Sequence, residues 1–152
     1  MGSNRLRFYA WRSAMSRISF DSALLGPWIC QQVKGVHYPQ RGSTIGLLNE
    51  QDEPIAGILY EDYNKANVMI HVASQGTWDS PEFLHIIFDY PFNQLGVKRI
   101  TGPIASNNTR AIALAERFGL EYETKLVDAH PDGDILIYKM TRERCKELGF
   151  IT

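Results

Sequence analysis

Cysteine is scarce in this chain: Cys30 and Cys145 are the only two in 152 residues. They lie far apart, with no CxxC spacing and no histidine at metal-ligand spacing, so the plain expectation is two free thiols rather than a disulfide framework or a zinc site. His37, His85 and His130 are scattered, and no pair has HExxH spacing, so no metal is expected. Long apolar runs are missing too. Nothing reaches the roughly 20 residues that cross a bilayer, and no apolar stretch follows Arg5 and Arg7 as a signal peptide would require, which predicts a cytoplasmic protein without a membrane partner. An excess of one charge is also absent: sixteen basic residues face seventeen acidic ones, for a net charge of -1. No global field favours a nucleic-acid backbone, and no nucleic-acid partner is expected. Ser43-Thr44 and Ser106-Asn107 lack the G-x-S-x-G elbow of a serine nucleophile, which argues against a covalent serine mechanism.

What is present is ordinary for a globular chain. Hydrophobic residues make up 44% and charged residues 22%, outside the range of disordered or collagen-like sequences. No repeat, linker or low-complexity block divides the chain, so residues 1–152 are expected to form a single domain with one core.

The patterning gives an order of elements. Leu6 to Ser13 alternates weakly and reads as a first strand. Leu24, Leu25, Trp28, Ile29 and Val33 recur at helical spacing after Asp21 or Ser22 as cap, with Pro27 kinking the helix and Gly35 ending it. Thr44 to Asn49, Pro54 to Tyr63 and Asn67 to Ser74 read as a meander of three antiparallel strands. Ser80-Pro81 opens a second helix, which ends or bends near Pro91, and Gly96 leads into a strand over Val97 to Ile104. Asn107 or Asn108 begins a short amphipathic helix that Gly119 stops. Strands over Tyr122 to Ala129 and Asp134 to Thr141 flank the turn His130-Pro131-Asp132-Gly133, and a polar tail follows. This order predicts an α/β (α+β) fold, a mixed central sheet of about six to seven strands with helices on both faces.

The span from about Thr44 to Met140 resembles the GNAT superfamily of acetyl-CoA-dependent N-acetyltransferases. Asn108, Ala111, Leu114, Glu116 and Gly119-Leu120 match its N-x-x-A-x-x-L-x-E-x-x-G-hydrophobic signature. The run Phe88 to Thr101 is similar to a bacteriophage-type branch, which would place the protein in a host cytoplasm. The resemblance implies acetyl-CoA as co-substrate, held where the fourth and fifth strands of the meander order, Asn67–Ser74 and Val97–Ile104, separate. Its pantetheine arm would pair with main chain at Val72, Ala73 and Ser74. Its phosphates would meet the loop through Gly76, Trp78 and Ser80 and the helix end behind it, with Asn107 touching pantetheine and Arg110 or Arg117 near phosphate. The loop Gln75 to Ser80 departs from the family pattern by having one glycine, a tryptophan and Asp79. Ala115 stands where many members carry a tyrosine that protonates the leaving thiolate.

Acetyl transfer to an amine needs a group that removes its proton. Glu61, near the end of the third strand, and His71, within the fourth, are the candidates, His71 because imidazole titrates near neutrality. The general acid is open among water, Tyr60, Tyr63, Tyr90 and Tyr122. The implied function is an N-acetyltransferase acting on a primary amine of a protein or a small molecule, with a homodimer possible by analogy. The other reading that the altered loop and Ala115 suggest is a non-catalytic module that keeps the fold and binds a protein.

Overall fold

The computed structural model describes residues 16–33 and 42–152. The strand expected over Leu6 to Ser13, together with Trp11, Gly35 and His37, lies outside the described residues. A seven-stranded sheet runs through the described residues in the order β1-β2-β3-β4-β5-β7-β6. Its strands are β1 (Ser16–Ser19), β2 (Ser43–Asn49), β3 (Pro54–Glu61), β4 (Asn67–Ser74), β5 (Arg99–Ala105), β6 (Glu121–His130) and β7 (Gly133–Thr141). Neighbouring strands are antiparallel except β4 and β5, which are parallel. The helices are α1 (Ser22–Gln32), α2 (Pro81–Asp89), α3 (Thr109–Arg117) and α4 (Arg142–Glu147), with a π-helical turn at Tyr90–Gln94. The mixed sheet and its helices match the expected fold class.

Two-residue alternation along the strands divides the core. From β3, Ile58 and Tyr60 enter a large cluster with Phe83, Phe88 and Phe92. Leu59 points the other way, into a smaller cluster with Leu25 and Ile29 of α1, Leu48 and Ala73. Burial of each large apolar side chain contributes about 1.5–3 kcal/mol. Helices therefore cover both faces, and the middle strands are apolar almost throughout because neither face meets water.

The helix starts follow the capping chemistry in the sequence. Asp21 accepts the N–H groups of Ala23 and Leu24, Ser80 accepts that of Phe83 with Pro81 behind it, and Asn108 accepts that of Ala111. Asn108, not Asn107, is thus the cap of α3. Strand β3 stops at Glu61, two residues short of the expected Tyr63, because Asp62 adopts a left-handed φ of 55°. The polar tail expected after Thr141 is instead α4, capped by Thr141, with Cys145 and Ile151 buried. A six-residue helix with one apolar residue facing the core carries too little periodicity to be read from sequence. Both cysteines are free. Burial pushes the Cys145 thiol up to about 12, and burial together with the nearby Glu61 raises that of Cys30.

Pro91 has no N–H to give the Ile87 carbonyl four residues earlier, and the chain enters its π-helical turn there. The Tyr60 hydroxyl donates to that carbonyl at 2.7 Å. Burial raises the Tyr60 pKa well above 10, so the phenol stays a donor. Tyr60→Phe removes this donor from a buried carbonyl and is expected to destabilise the protein by about 1–3 kcal/mol, read as a lower urea midpoint with unchanged slope.

A polar clamp closes one end of the β4–β5 junction. Thr101 Oγ1 donates to Asn67 Oδ1 at 2.6 Å, and the Arg99 guanidinium bonds both Thr101 Oγ1 and the Glu123 carboxylate. These bonds, with Lys139 nearby, hold the Glu123 carboxyl down to about 2. Beyond the clamp the strands part.

Candidate active site: the cleft between the fourth and fifth strands

The parallel ladder joins Asn67 to Arg99, Val68 to Ile100 and Met69 to Thr101, and no further pair follows. Strand β4 continues to Ser74 against β3, while β5 continues to Ala105 against β7. Pro103 has no N–H to offer a neighbouring strand, which favours termination of the ladder just before it. The separation opens a cleft of about 560 Å³.

One edge of this cleft is main chain. The Gln75 N–H donates to the Ile55 carbonyl at 2.7 Å, which fixes the alternation of the β3–β4 ladder. His71 and Ala73 turn their main-chain groups toward β3, and Val72 and Ser74 turn theirs toward the open side. The edge available to a ligand is therefore that of Val72 and Ser74, and Ala73 contributes side-chain wall only.

His71 lines the cleft, and its Nε2 lies 2.6 Å from Glu61 Oε1. The side chains retain 6% and 18% of their exposure, respectively, so the bond is largely shielded from water. A carboxylate only accepts, so Nε2 carries the proton and Nδ1 of the neutral ring is left as the basic nitrogen. Glu61 lies behind His71 and is not a lining residue. This arrangement joins the two candidates for proton removal into one unit: His71 as the group facing the cleft, Glu61 as the group that orients it and stabilises its charged form.

The structure brings His71, Val72, Ala73, Ser74, Trp78, Asn107 and Arg110 to one cleft. Asn107 is exposed and makes no hydrogen bond to a described residue, whereas the Arg110 Nη2 donates to the Ser74 carbonyl at 2.9 Å. Trp78 is turned inward and packs edge-on against Phe83 and Phe118. Gly76, at φ 64°, and Ser80 do not line the cleft, and the Ser80 hydroxyl accepts the Phe83 N–H. The Asp79 carboxylate is paired with Arg117, which offsets the negative charge that the sequence places in this loop. Main chain at Val72 and Ser74 thus suits an arm bearing amides. The loop of residues 75–80 offers a neutralised rather than a cationic surface to phosphate.

Several lining residues escaped the sequence reading. His130 and Asp132, from the β6–β7 turn, reach the far wall of the cleft. The Asp132 N–H donates to His130 Nδ1, and Nε2 is shielded without a partner among the described residues. Nothing in their local spacing marks them, because only the hairpin brings them to the loop bearing Asn107, through bonds between Ser106 and Asp134. Tyr138 does not line the cleft but adjoins it through Glu116 of α3, and its local spacing does not mark it either. It is buried and its hydroxyl donates to Glu116 at 3.1 Å. Burial and that carboxylate raise its pKa. Ala115 lines the cleft at the position where the family resemblance leads one to look for tyrosine. Among the described residues no cluster of His, Cys, Asp and Glu could hold a metal ion, and no helix is long and apolar enough to cross a membrane.

No protein-family profile matches the chain, and no curated protein sequence matches it. Solved structures do. Spermidine/spermine N-acetyltransferase SpeG from Vibrio cholerae, solved with manganese ions, superimposes with a TM-score of 0.65 at 15% identity, covering 90% of this chain and 96% of that one. Ribosomal-protein-S5-alanine acetyltransferase from Vibrio fischeri gives 0.64 at 10% identity, over 85% and 94%. An acetyltransferase of the GNAT family from Bacillus anthracis gives 0.55 at 15% identity, over 66% of each chain. At these identities the likeness establishes the fold: the described sheet and helices are arranged as in GNAT acetyltransferases.

Proposed function

We propose that this chain is an N-acetyltransferase that moves an acetyl group from acetyl-CoA to a primary amine of a protein or a small molecule by direct attack. One observation carries the reading. His71, hydrogen-bonded to Glu61 of β3, immediately precedes on β4 an open main-chain edge at Val72 and Ser74, and His71 and that edge border one cleft. The donor brings a thioester, whose carbonyl carbon forms the new C–N bond as its C–S bond breaks. The chain's own groups do the rest. The Val72 and Ser74 main chain aligns the arm alongside β4, and Asn107 offers a further amide at the opposite wall. His71 Nδ1 takes the proton of the attacking amine, and Glu61 stabilises the imidazolium that results.

The leaving sulfur needs a proton. Tyr60 lines the cleft, but its hydroxyl proton is directed at the Ile87 carbonyl and its pKa is raised. The Tyr138 proton is directed at Glu116. Tyr63, Tyr90 and Tyr122 do not line the cleft, and Ala115 contributes no acidic group, so the proton held by His71 or one from water serves this role.

The test is calorimetric titration with acetyl-CoA. Micromolar affinity is expected, with a melting temperature that rises as ligand exceeds Kd, by about 2.7 kcal/mol of added stability at 100 Kd. An amine screen then follows, starting with spermidine and with alanine-bearing peptides, after the names of two of the compared enzymes. No heat at two temperatures and no thermal shift would overturn the reading and favour a protein-binding module on the same fold.

A further inference from the structure

We propose that Arg110 is a specificity residue that guards the open edge of β4, yielding the Ser74 carbonyl more readily to a thioester donor that carries phosphate than to one that does not. This inference rests on the reading of the cleft as a thioester-donor site. The Ser74 carbonyl faces the side that β5 has left, by the alternation of the β3–β4 ladder. In place of a strand donor it receives the Arg110 guanidinium, from the first turn of α3, at 2.9 Å across 36 residues of sequence. Both groups border the cleft, and Arg110 is exposed. No carboxylate of the described residues pairs with it, whereas Arg117 on the same helix is held by Asp79.

An amide N–H laid along β4 must therefore compete with Arg110 for this carbonyl. A cation bonded to a neutral oxygen in reach of water is readily exchanged, because water and the incoming amide both compensate the loss. Once released, the guanidinium stays tethered at the rim of the cleft, where its planar fork matches a phosphate group better than a lone carbonyl. A donor with phosphate recovers the lost bond as an ionic one. A donor made of the arm alone does not. The same side chain thus disfavours short thioesters and favours the nucleotide-bearing one.

The experiment compares wild type, Arg110→Ala and Arg110→Gln for binding of acetyl-CoA and of acetyl-pantetheine, which has the arm without phosphate. Arg110→Ala is expected to bind acetyl-pantetheine about three- to tenfold more tightly and acetyl-CoA about three- to tenfold more weakly. Arg110→Gln, which keeps a neutral donor, is expected to resemble wild type for acetyl-pantetheine and Arg110→Ala for acetyl-CoA. The acetyl-CoA affinity of wild type falls more steeply with salt than that of either variant. Changes of the same sign for both ligands, or none for either, overturn the proposal while leaving the acetyltransferase reading intact. Failure of wild type to bind acetyl-CoA overturns both. Thermal melts check that the variants are folded, as an exposed position predicts.

Discussion

His71→Ala is expected to lower kcat for acetyl transfer by about 10²–10⁴-fold while leaving the Kd for acetyl-CoA unchanged. The reason is positional. His71 is the basic side chain adjoining the exposed edge of β4, and its Nε2–H is committed to Glu61 at 2.6 Å, which leaves Nδ1 to receive a proton. An amine attacks only after losing its proton, and in a shielded cleft no bulk buffer stands in for the missing imidazole. Glu61→Gln is expected to lose about 10²-fold by a different route. A glutamine amide can donate to Nε2, which moves the ring proton to Nδ1 and removes the base without disturbing the packing, and the imidazolium is no longer stabilised by a charge. Steady-state kinetics, with calorimetry for donor binding, separate these effects from unfolding. Activity of His71→Ala within twofold of wild type would show that the proton leaves by another path.

Gly46→Val is expected to destabilise the protein by about 2–3 kcal/mol and to weaken activity as well. Gly46 and Gly57 are paired across β2 and β3, and together they form a bare patch on which α1 sits. A Cβ on Gly46 would fall 2.4 Å from Leu25 Cδ2 and 3.0 Å from the Ala56 carbonyl oxygen. One on Gly57 would fall 2.9 Å from Ile29 Cδ1 and Cγ1. Leu25 and Ile29 are fully buried, so they have no space into which to retreat, and the helix must move. Because α1 packs on the face that carries Ala73 and Leu59, and Leu59 lies directly across from His71, its displacement reaches the site. Urea unfolding reads the first effect, and kcat at a temperature where the variant is folded reads the second. A stability within 0.5 kcal/mol of wild type would mean that α1 is not held as closely as the geometry requires.

Much of the frame was legible because it rests on local chemistry. Ser80-Pro81 and Asn108 start helices by satisfying N–H groups that no helix can satisfy internally, and the sequence states that directly. The meander β2 to β4 was readable from apolar runs divided by short polar turns, with Asn67–Ser74 placed to the residue. Other features were hidden for physical reasons. Helix α4 was missed because its stability comes from Cys145 docking on the core, not from a periodic face. The π-helical turn after Asp89 could be suspected from Pro91, yet the Tyr60 hydroxyl that bonds the deprived carbonyl comes from a strand nearly thirty residues earlier.

The same division runs through the site. The sequence by itself determined which residue types are present for the chemistry: His71 and Glu61 for proton removal, a strand ending in Val72-Ala73-Ser74, a helix begun by Asn107 or Asn108, and no metal ligands at a recognisable spacing. It even carried, in Pro103, a reason for the β4–β5 ladder to stop. Only the tertiary structure decided that His71 and Glu61 are one hydrogen-bonded unit and that Arg117 neutralises Asp79. It alone set Arg110 on the Ser74 carbonyl and brought His130 and Asp132 to the far wall. Spacing along a chain reports on neighbours within a turn or a hairpin. These contacts instead join residues 10 to 38 positions apart, and their partners are fixed by strand order, ladder phase and the direction in which each side chain leaves its strand or helix.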